Sequence, residues 1–216
     1  FFNCLKTQRR FKKRQDILLT PKSFSLNGTY DEFHEPCLSD TEILSCIRKE
    51  VLAGAYYLLD YRGYADYIEE DNVVFIFAMG SLGTEAIAAS KELLKKGVYA
   101  SVIIVTSPDL LLSNLAHKNN YIHLKQGLAL ENTAAPIVSV HDGEPGLLDN
   151  IGSLLGTYHE SLAVRKHSRC GRPREVYQFH GIDKDSIIQA CLKALQLNTQ
   201  NIFQRNTYCP KVPKLN

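Results

Sequence analysis

Tryptophan is absent, methionine occurs once, and neither sign of charge prevails: across 216 residues, 25 Lys and Arg face 23 Asp and Glu, a formal net charge of +2. Such a balance creates no overall field for nucleic acid or an anionic membrane, so an anionic ligand must be caught locally. No apolar run reaches the roughly 20 residues of a membrane-spanning helix, and a soluble protein is predicted. The cysteines Cys4, Cys37, Cys46, Cys170, Cys191 and Cys209 stand singly, without a C-x-x-C pair. That spacing predicts neither a disulfide scaffold nor a paired-cysteine zinc site, and points to reduced thiols in a cytoplasmic protein. Phe1-Phe2-Asn3-Cys4 shows neither an initiator Met nor the order of a signal peptide, and reads as a cut.

What is present is an ordinary globular composition, 44% hydrophobic and 22% charged, which excludes intrinsic disorder. A helix running into a short strand is predicted before Pro21, with the basic cluster Arg9, Arg10, Lys12, Lys13 and Arg14 read as a solvated helix face in preference to a nucleic-acid contact. Ser25 to Leu38 is a loop by composition. Ser39-Asp40-Thr41-Glu42 then supplies capping groups for a helix whose apolar positions are Ile43, Leu44, Ile47, Val51, Leu52 and Ala55. Tyr56 to Tyr67 reads as a strand or an irregular link, and Glu69 to Asn72 as a boundary.

Beyond that boundary strands alternate with helices. Strands are predicted at Val73–Met79, Tyr99–Thr106, Ile137–Val140 and Ser161–Val164. Helices are predicted at Thr84–Lys96, capped by Thr84, after Ser107-Pro108-Asp109, at Leu147–Leu155, at Arg172–Phe179 and at Asp183–Leu195. The alternation implies an α/β fold, a three-layer α/β/α sandwich around a mostly parallel sheet. The domain reading is therefore 1–38 as the end of a preceding domain, 39–71 as a linking helix and connection, 72–197 as the α/β domain, and 198–216 as a loose tail around Pro210 and Pro213.

Three motifs carry candidate chemistry. Gly80-Ser81-Leu82-Gly83 follows a strand and opens a helix, but lacks the third glycine of a dinucleotide fingerprint, and Met79 stands where a nucleophile elbow needs glycine around Ser81. It reads as a tight turn. His141-Asp142-Gly143-Glu144 follows a buried strand and half matches the Gly-Asp-Gly start of the thiamine diphosphate motif, with His141 in place of the first glycine and no Asn between Asn150 and Asn198 as second Mg²⁺ ligand. It reads as a polar loop. Cys170 lies among His167, Arg169 and Arg172, an environment that lowers a thiol pKa, but no acid or base partner is identifiable from the spacing. His34, His117, His123, His159 and His180 show no zinc spacing.

Two stretches resemble a known family. Phe33-His34-Glu35-Pro36, Ile47-Arg48-Lys49, Gly54 and Tyr56 resemble the junction segment of homodimeric thiamine-dependent pyruvate dehydrogenase decarboxylase subunits. The second stretch is similar to the carboxy-terminal domain those enzymes share with transketolases. It comprises the Gly80-Ser81 turn, Glu92-Leu93-Leu94, Val105-Thr106-Ser107, Ala135-Pro136-Ile137-Val138, Gly171-Arg172, Phe179-His180 and Asp183.

The resemblance implies that residues 1–38 end a pyrimidine-binding-type domain and that residues 72–197 form a transketolase C-terminal-like domain. It implies a larger enzyme that decarboxylates pyruvate on thiamine diphosphate and magnesium and passes the acetyl group to a lipoyl carrier. The chain would serve it as a structural and dimerisation domain, inactive alone and binding no cofactor, so no catalytic, cofactor-binding or metal residue is assigned. Implied partners are a second copy, the remaining domains of the enzyme and a lipoyl acyltransferase component, with no nucleic acid and no membrane. The basic residues 165 to 170 depart from the family's more acidic pattern. Two alternatives stand beside this reading: the matching domain of a transketolase-like enzyme, and a stand-alone protein-binding module.

Overall fold

The computed structural model describes residues 48–64, 66–112 and 122–207, with side chains described as far as Asn198. The helix and strand predicted before Pro21, the cluster Arg9 to Arg14, the loop Ser25 to Leu38, the capping run Ser39 to Glu42, His34, His117, Cys4, Cys37, Cys46 and Cys209 lie outside these residues.

Five strands form one sheet in the order β1-β3-β2-β4-β5. They are β1 Ala55–Leu59, β2 Val73–Met79, β3 Tyr99–Val105, β4 Ile137–Val140 and β5 His159–Leu162. β2 pairs in parallel with both β3 and β4, β4 pairs in parallel with β5, and β1 lies antiparallel to β3. The helices are α1 Gly83–Leu94, α2 Pro108–Leu111, α3 Ile151–Leu155, α4 Pro173–His180 and α5 Lys184–Thr207, and His123–Gly127 forms a π-helical turn.

The register sorts side chains onto two faces, because alternate strand residues point to opposite sides. Phe75, Phe77, Ser101, Ile103, Ile137, Ser139 and His159 share one face. The segment around the π-helical turn packs there, where the Tyr57 hydroxyl donates to the Leu128 carbonyl at 2.9 Å, and so does α3, where a Cβ on Gly152 would fall 2.3 Å from that of His159. The opposite face is covered by α1 and α5: the Ser90 hydroxyl of α1 donates to the Ala100 carbonyl at 2.6 Å, and Lys193 of α5 pairs with Glu160 at 2.8 Å. These are the three layers, with β2, β3 and β4 buried almost throughout.

Several boundaries differ from the sequence reading. Of the two readings of Tyr56 to Tyr67, the strand holds for its first part: β1 is the antiparallel edge of the sheet, which therefore begins ahead of the boundary read at Glu69–Asn72. A strand cannot be told from a link by apolar content when its pairing partner lies far along the chain. Helix is described over residues 48–53 and then yields to β1, leaving Leu52 63% exposed and Ala55 in the strand. The last strand begins at His159, not Ser161, and α1 is entered from a 3-10 turn at Gly80–Leu82, without a side-chain cap from Thr84. The helix read as Leu147–Leu155 is a 3-10 turn, Pro145–Leu147, followed by α3. α5 runs past Leu195 to Thr207, for no Gly or Pro interrupts it before Pro210.

Beside β1 lies a buried ion pair, Arg62 with Asp60 at 2.6 Å. The guanidinium also donates to the Leu128 carbonyl at 3.2 Å and lies 4.3 Å from the centre of the Tyr57 ring. Burial pushes the Tyr57 phenol well up, so it remains a neutral donor.

Candidate functional site at the carboxyl edge of the sheet

The connection leaving β2 turns toward β3 on one side, while β4 lies on its other side. This is the crevice where open α/β sheets admit ligands, at the carboxyl ends of the strands. Two of the three motifs read from the sequence, the Gly80-Ser81 turn and the His141-Asp142 loop, converge there. Gly80 has φ +66° and ends β2; a Cβ at this position would lie 3.2 Å from Asp142 Oδ1, beyond the end of β4. Glycine therefore serves both the left-handed backbone and the close approach of the carboxylate.

The Ser81 hydroxyl donates to Asp142 Oδ2 at 3.1 Å, and the Tyr177 hydroxyl of α4 donates to Ser81 Oγ at 2.8 Å. The Thr84 hydroxyl donates to the Ser81 carbonyl at 3.1 Å. The result is a short relay, phenol to hydroxyl to carboxylate, laid across the crevice by three separate elements. A carboxylate of the chain itself stands at the entry to α1, where an external anion would otherwise be favoured.

His141, next to Asp142, is fully buried. Its Nδ1 accepts from the Gly143 N–H at 3.2 Å, and its Nε2 is buried without a hydrogen-bond partner. Burial lowers its pKa, against the opposing influence of Asp149 and Asp142. A neutral imidazole sealed from solvent is an anchor for the loop, since general acid-base work requires reach to a substrate proton.

His159 lies nearby in β5, with Nε2 2.8 Å from Ser139 Oγ and Nδ1 3.3 Å from the Asp149 carbonyl. A ring nitrogen facing a carbonyl carries the proton, so Nε2 accepts from Ser139. The arrangement has the look of a nucleophile, base and orienter, but Ser139 is 0% exposed and no substrate reaches it. The Asp149 carboxylate accepts from the Ser161 hydroxyl, tying the same loop to β5. Burial lowers the His159 pKa as well.

The loop after β5 places Cys170 in the open, while Cys191 is buried in α5, its thiol pushed up by burial. Arg169 stacks on Phe179 at 4.3 Å from the ring centre and Lys166 lies 5.5 Å from it. The structure thus brings Gly80, Ser81 and Asp142 together, and leaves Cys170, His123 and His180 apart from them. Tyr177, Ser139 and His159 enter through packing; the only sequence signal for Tyr177 is its place with Val176 and His180 along one side of α4.

Among the described residues no group of three His, Cys, Asp or Glu is placed to hold a metal. Asp142 is committed to Ser81, and the Asn198 amide donates to the Ala134 carbonyl at 2.8 Å, ahead of β4 and thus at the opposite edge. The described residues therefore do not fit the paired Asp and Asn that would hold Mg²⁺ on a pyrophosphate.

No family model matches the chain, and no curated protein matches it in sequence. Solved structures do match. A transketolase from Pichia stipitis, in complex with sedoheptulose-7-phosphate, aligns with 70% of this chain at 15% identity and a TM-score of 0.53. A transketolase from Leishmania mexicana aligns with 69% of it at 17% identity and a TM-score of 0.50. At such identity the likeness is one of fold, and the chain spans 19% of the length of either protein.

Proposed function

We propose that the chain is the carboxy-terminal domain of a larger thiamine diphosphate-dependent enzyme, contributing structure and dimer contacts and no reacting group. The observation that carries this reading is the sheet itself: an antiparallel edge beside four parallel strands, in a fold shared with a fifth of the length of transketolases. Its carboxyl-edge crevice is spanned by the chain's own Tyr177, Ser81 and Asp142, an arrangement suited to holding a rigid surface. The junction-like residues Ile47-Arg48-Lys49, Gly54 and Tyr56 favour a pyruvate dehydrogenase decarboxylating component, with a lipoyl acyltransferase as its acceptor partner. The structural neighbours favour instead a transketolase-like enzyme, and this is the second reading. Thiamine diphosphate and magnesium would supply the carbanion chemistry from the preceding domains, and no step is assigned here to this chain's residues.

The complete polypeptide, supplied with thiamine diphosphate and Mg²⁺, separates the two. Pyruvate-dependent dye reduction supports the first, ketol transfer between sugar phosphates supports the second, and absence of both contradicts the enzyme reading. Calorimetric titration of this chain alone with thiamine diphosphate and Mg²⁺ is expected to give no heat of binding at micromolar concentration.

A further inference from the structure

The segment between β5 and α4 concentrates charge of one sign. Residues 165–174 hold Arg165, Lys166, Arg169, Arg172 and Arg174 and no Asp or Glu, in a protein of net charge +2. All ten are exposed. Among the described residues none of the five cations is ion-paired. Two of them work against local structure: Arg172 is the N-cap of α4 and Arg174 lies in its first turn, the positive end of a helix, where cations are unfavourable. Cations crowded along ten residues also repel one another, and an anionic partner relieves that cost.

The segment is held in place with its backbone open. The Val164 N–H donates to the Gly143 carbonyl at 3.1 Å, just past the paired residues of β4 and β5. Arg165 donates to the Ser161 carbonyl at 3.3 Å, and Ser168 Oγ lies 3.3 Å from His180 Nε2. Lys166 and Arg169 both face the Phe179 ring, 5.5 and 4.3 Å from its centre, so two cations are gathered on one side chain. Residues 163–172 adopt neither helix nor strand, and β5, which they leave, is the outermost strand of the sheet. Among the described residues no backbone carbonyl accepts from the N–H groups of residues 165–171. Free backbone donors beside a row of arginines match the carbonyls and carboxylates of an extended acidic peptide.

We propose that residues 165–174 dock an extended acidic segment of a partner protein, its carboxylates on the cations and its carbonyls on the N–H groups of the loop. In an extended chain every second side chain points to the same side, so a peptide alternating acidic with neutral residues presents one carboxylate for each cation over the same length. Nucleic acid suits the segment less well. Phe179, the aromatic side chain on which the loop packs, already has the Arg169 guanidinium stacked on it and offers no free platform for a base. The docking does not depend on which reaction the whole enzyme performs.

The test is fluorescence anisotropy of a labelled, end-blocked decapeptide of alternating Glu and Thr, titrated with the 216-residue chain. Binding is expected in the micromolar range at about 50 mM salt and about tenfold weaker or more in 0.5 M salt, because exposed pairs are screened. The double variant Arg172→Gln, Arg174→Gln should weaken it about fivefold. Lys95→Gln, Lys96→Gln, which removes the same charge just past α1, should leave it within about twofold. A thymidine hexanucleotide, labelled alike and equal in charge, should bind about tenfold more weakly or worse. With the peptide bound, amide exchange at residues 166–171 should slow about threefold or more, a readout that side-chain charge alone does not move. No binding at low salt, equal loss in the two double variants, a hexanucleotide as tight as the peptide, or binding without slowed exchange would each overturn the proposal.

Discussion

His141, read from the sequence as part of a polar loop, and His159, read as a histidine without zinc spacing, matter for their burial. His141 and His159 both have folded pKa values held below the ordinary 6.5 by burial. Between the depressed value and about 6.5 the unfolded chain binds a proton that the fold refuses, so stability is complete above about pH 7 and declines as pH falls from 6.5. Urea midpoints measured from pH 7.5 to 5.5 should decline in the wild type and flatten in His141→Asn and His159→Asn; an unchanged slope in both would refute the assignment. Asp60 and Arg62 make the sharper stability case. Asp60→Asn strips a buried guanidinium of its counter-charge and is expected to cost about 3–5 kcal/mol by denaturant unfolding, because the charge left behind stays desolvated. The sequence offered Ser81 and Asp142 as candidates but not their bond, since side chains 61 residues apart meet only once β2 and β4 are paired.

At the scale of elements, the buried parallel strands were the most legible. Val73–Met79 and Ile137–Val140 coincide with their apolar runs, because a strand covered on both faces has little choice of composition. β1 was less legible, as its place depends on pairing with β3 and on Gly54. A Cβ at Gly54, φ +112°, would fall 2.7 Å from the Leu111 backbone nitrogen and 3.0 Å from the Ser107 carbonyl. Gly54→Ala should therefore destabilise by more than about 1 kcal/mol and loosen β1 first, visible as faster amide exchange at Tyr56 and Tyr57 than at Phe75. α4 presents the milder case. Tyr177→Phe removes one hydrogen bond to Ser81 and should cost about 0.5–1.5 kcal/mol in urea unfolding, with the sheet intact. A loss above about 3 kcal/mol would mean that the relay holds more than α4.

At the scale of the whole molecule, the charge balance that argues against nucleic acid hides one basic block, residues 165–174. The fold class followed from alternating strands and helices, while the reaction did not, since a carboxyl-edge crevice is common to many chemistries and here it is spanned by the chain's own side chains. The central claim is that this domain is one part of a much larger enzyme. The measurement that reaches it most directly is the mass of the native polypeptide, from extracts probed with an antibody to this chain and confirmed by peptide mass spectrometry. The account predicts a band several times heavier than 24.3 kDa, and a native band at 24.3 kDa would contradict it.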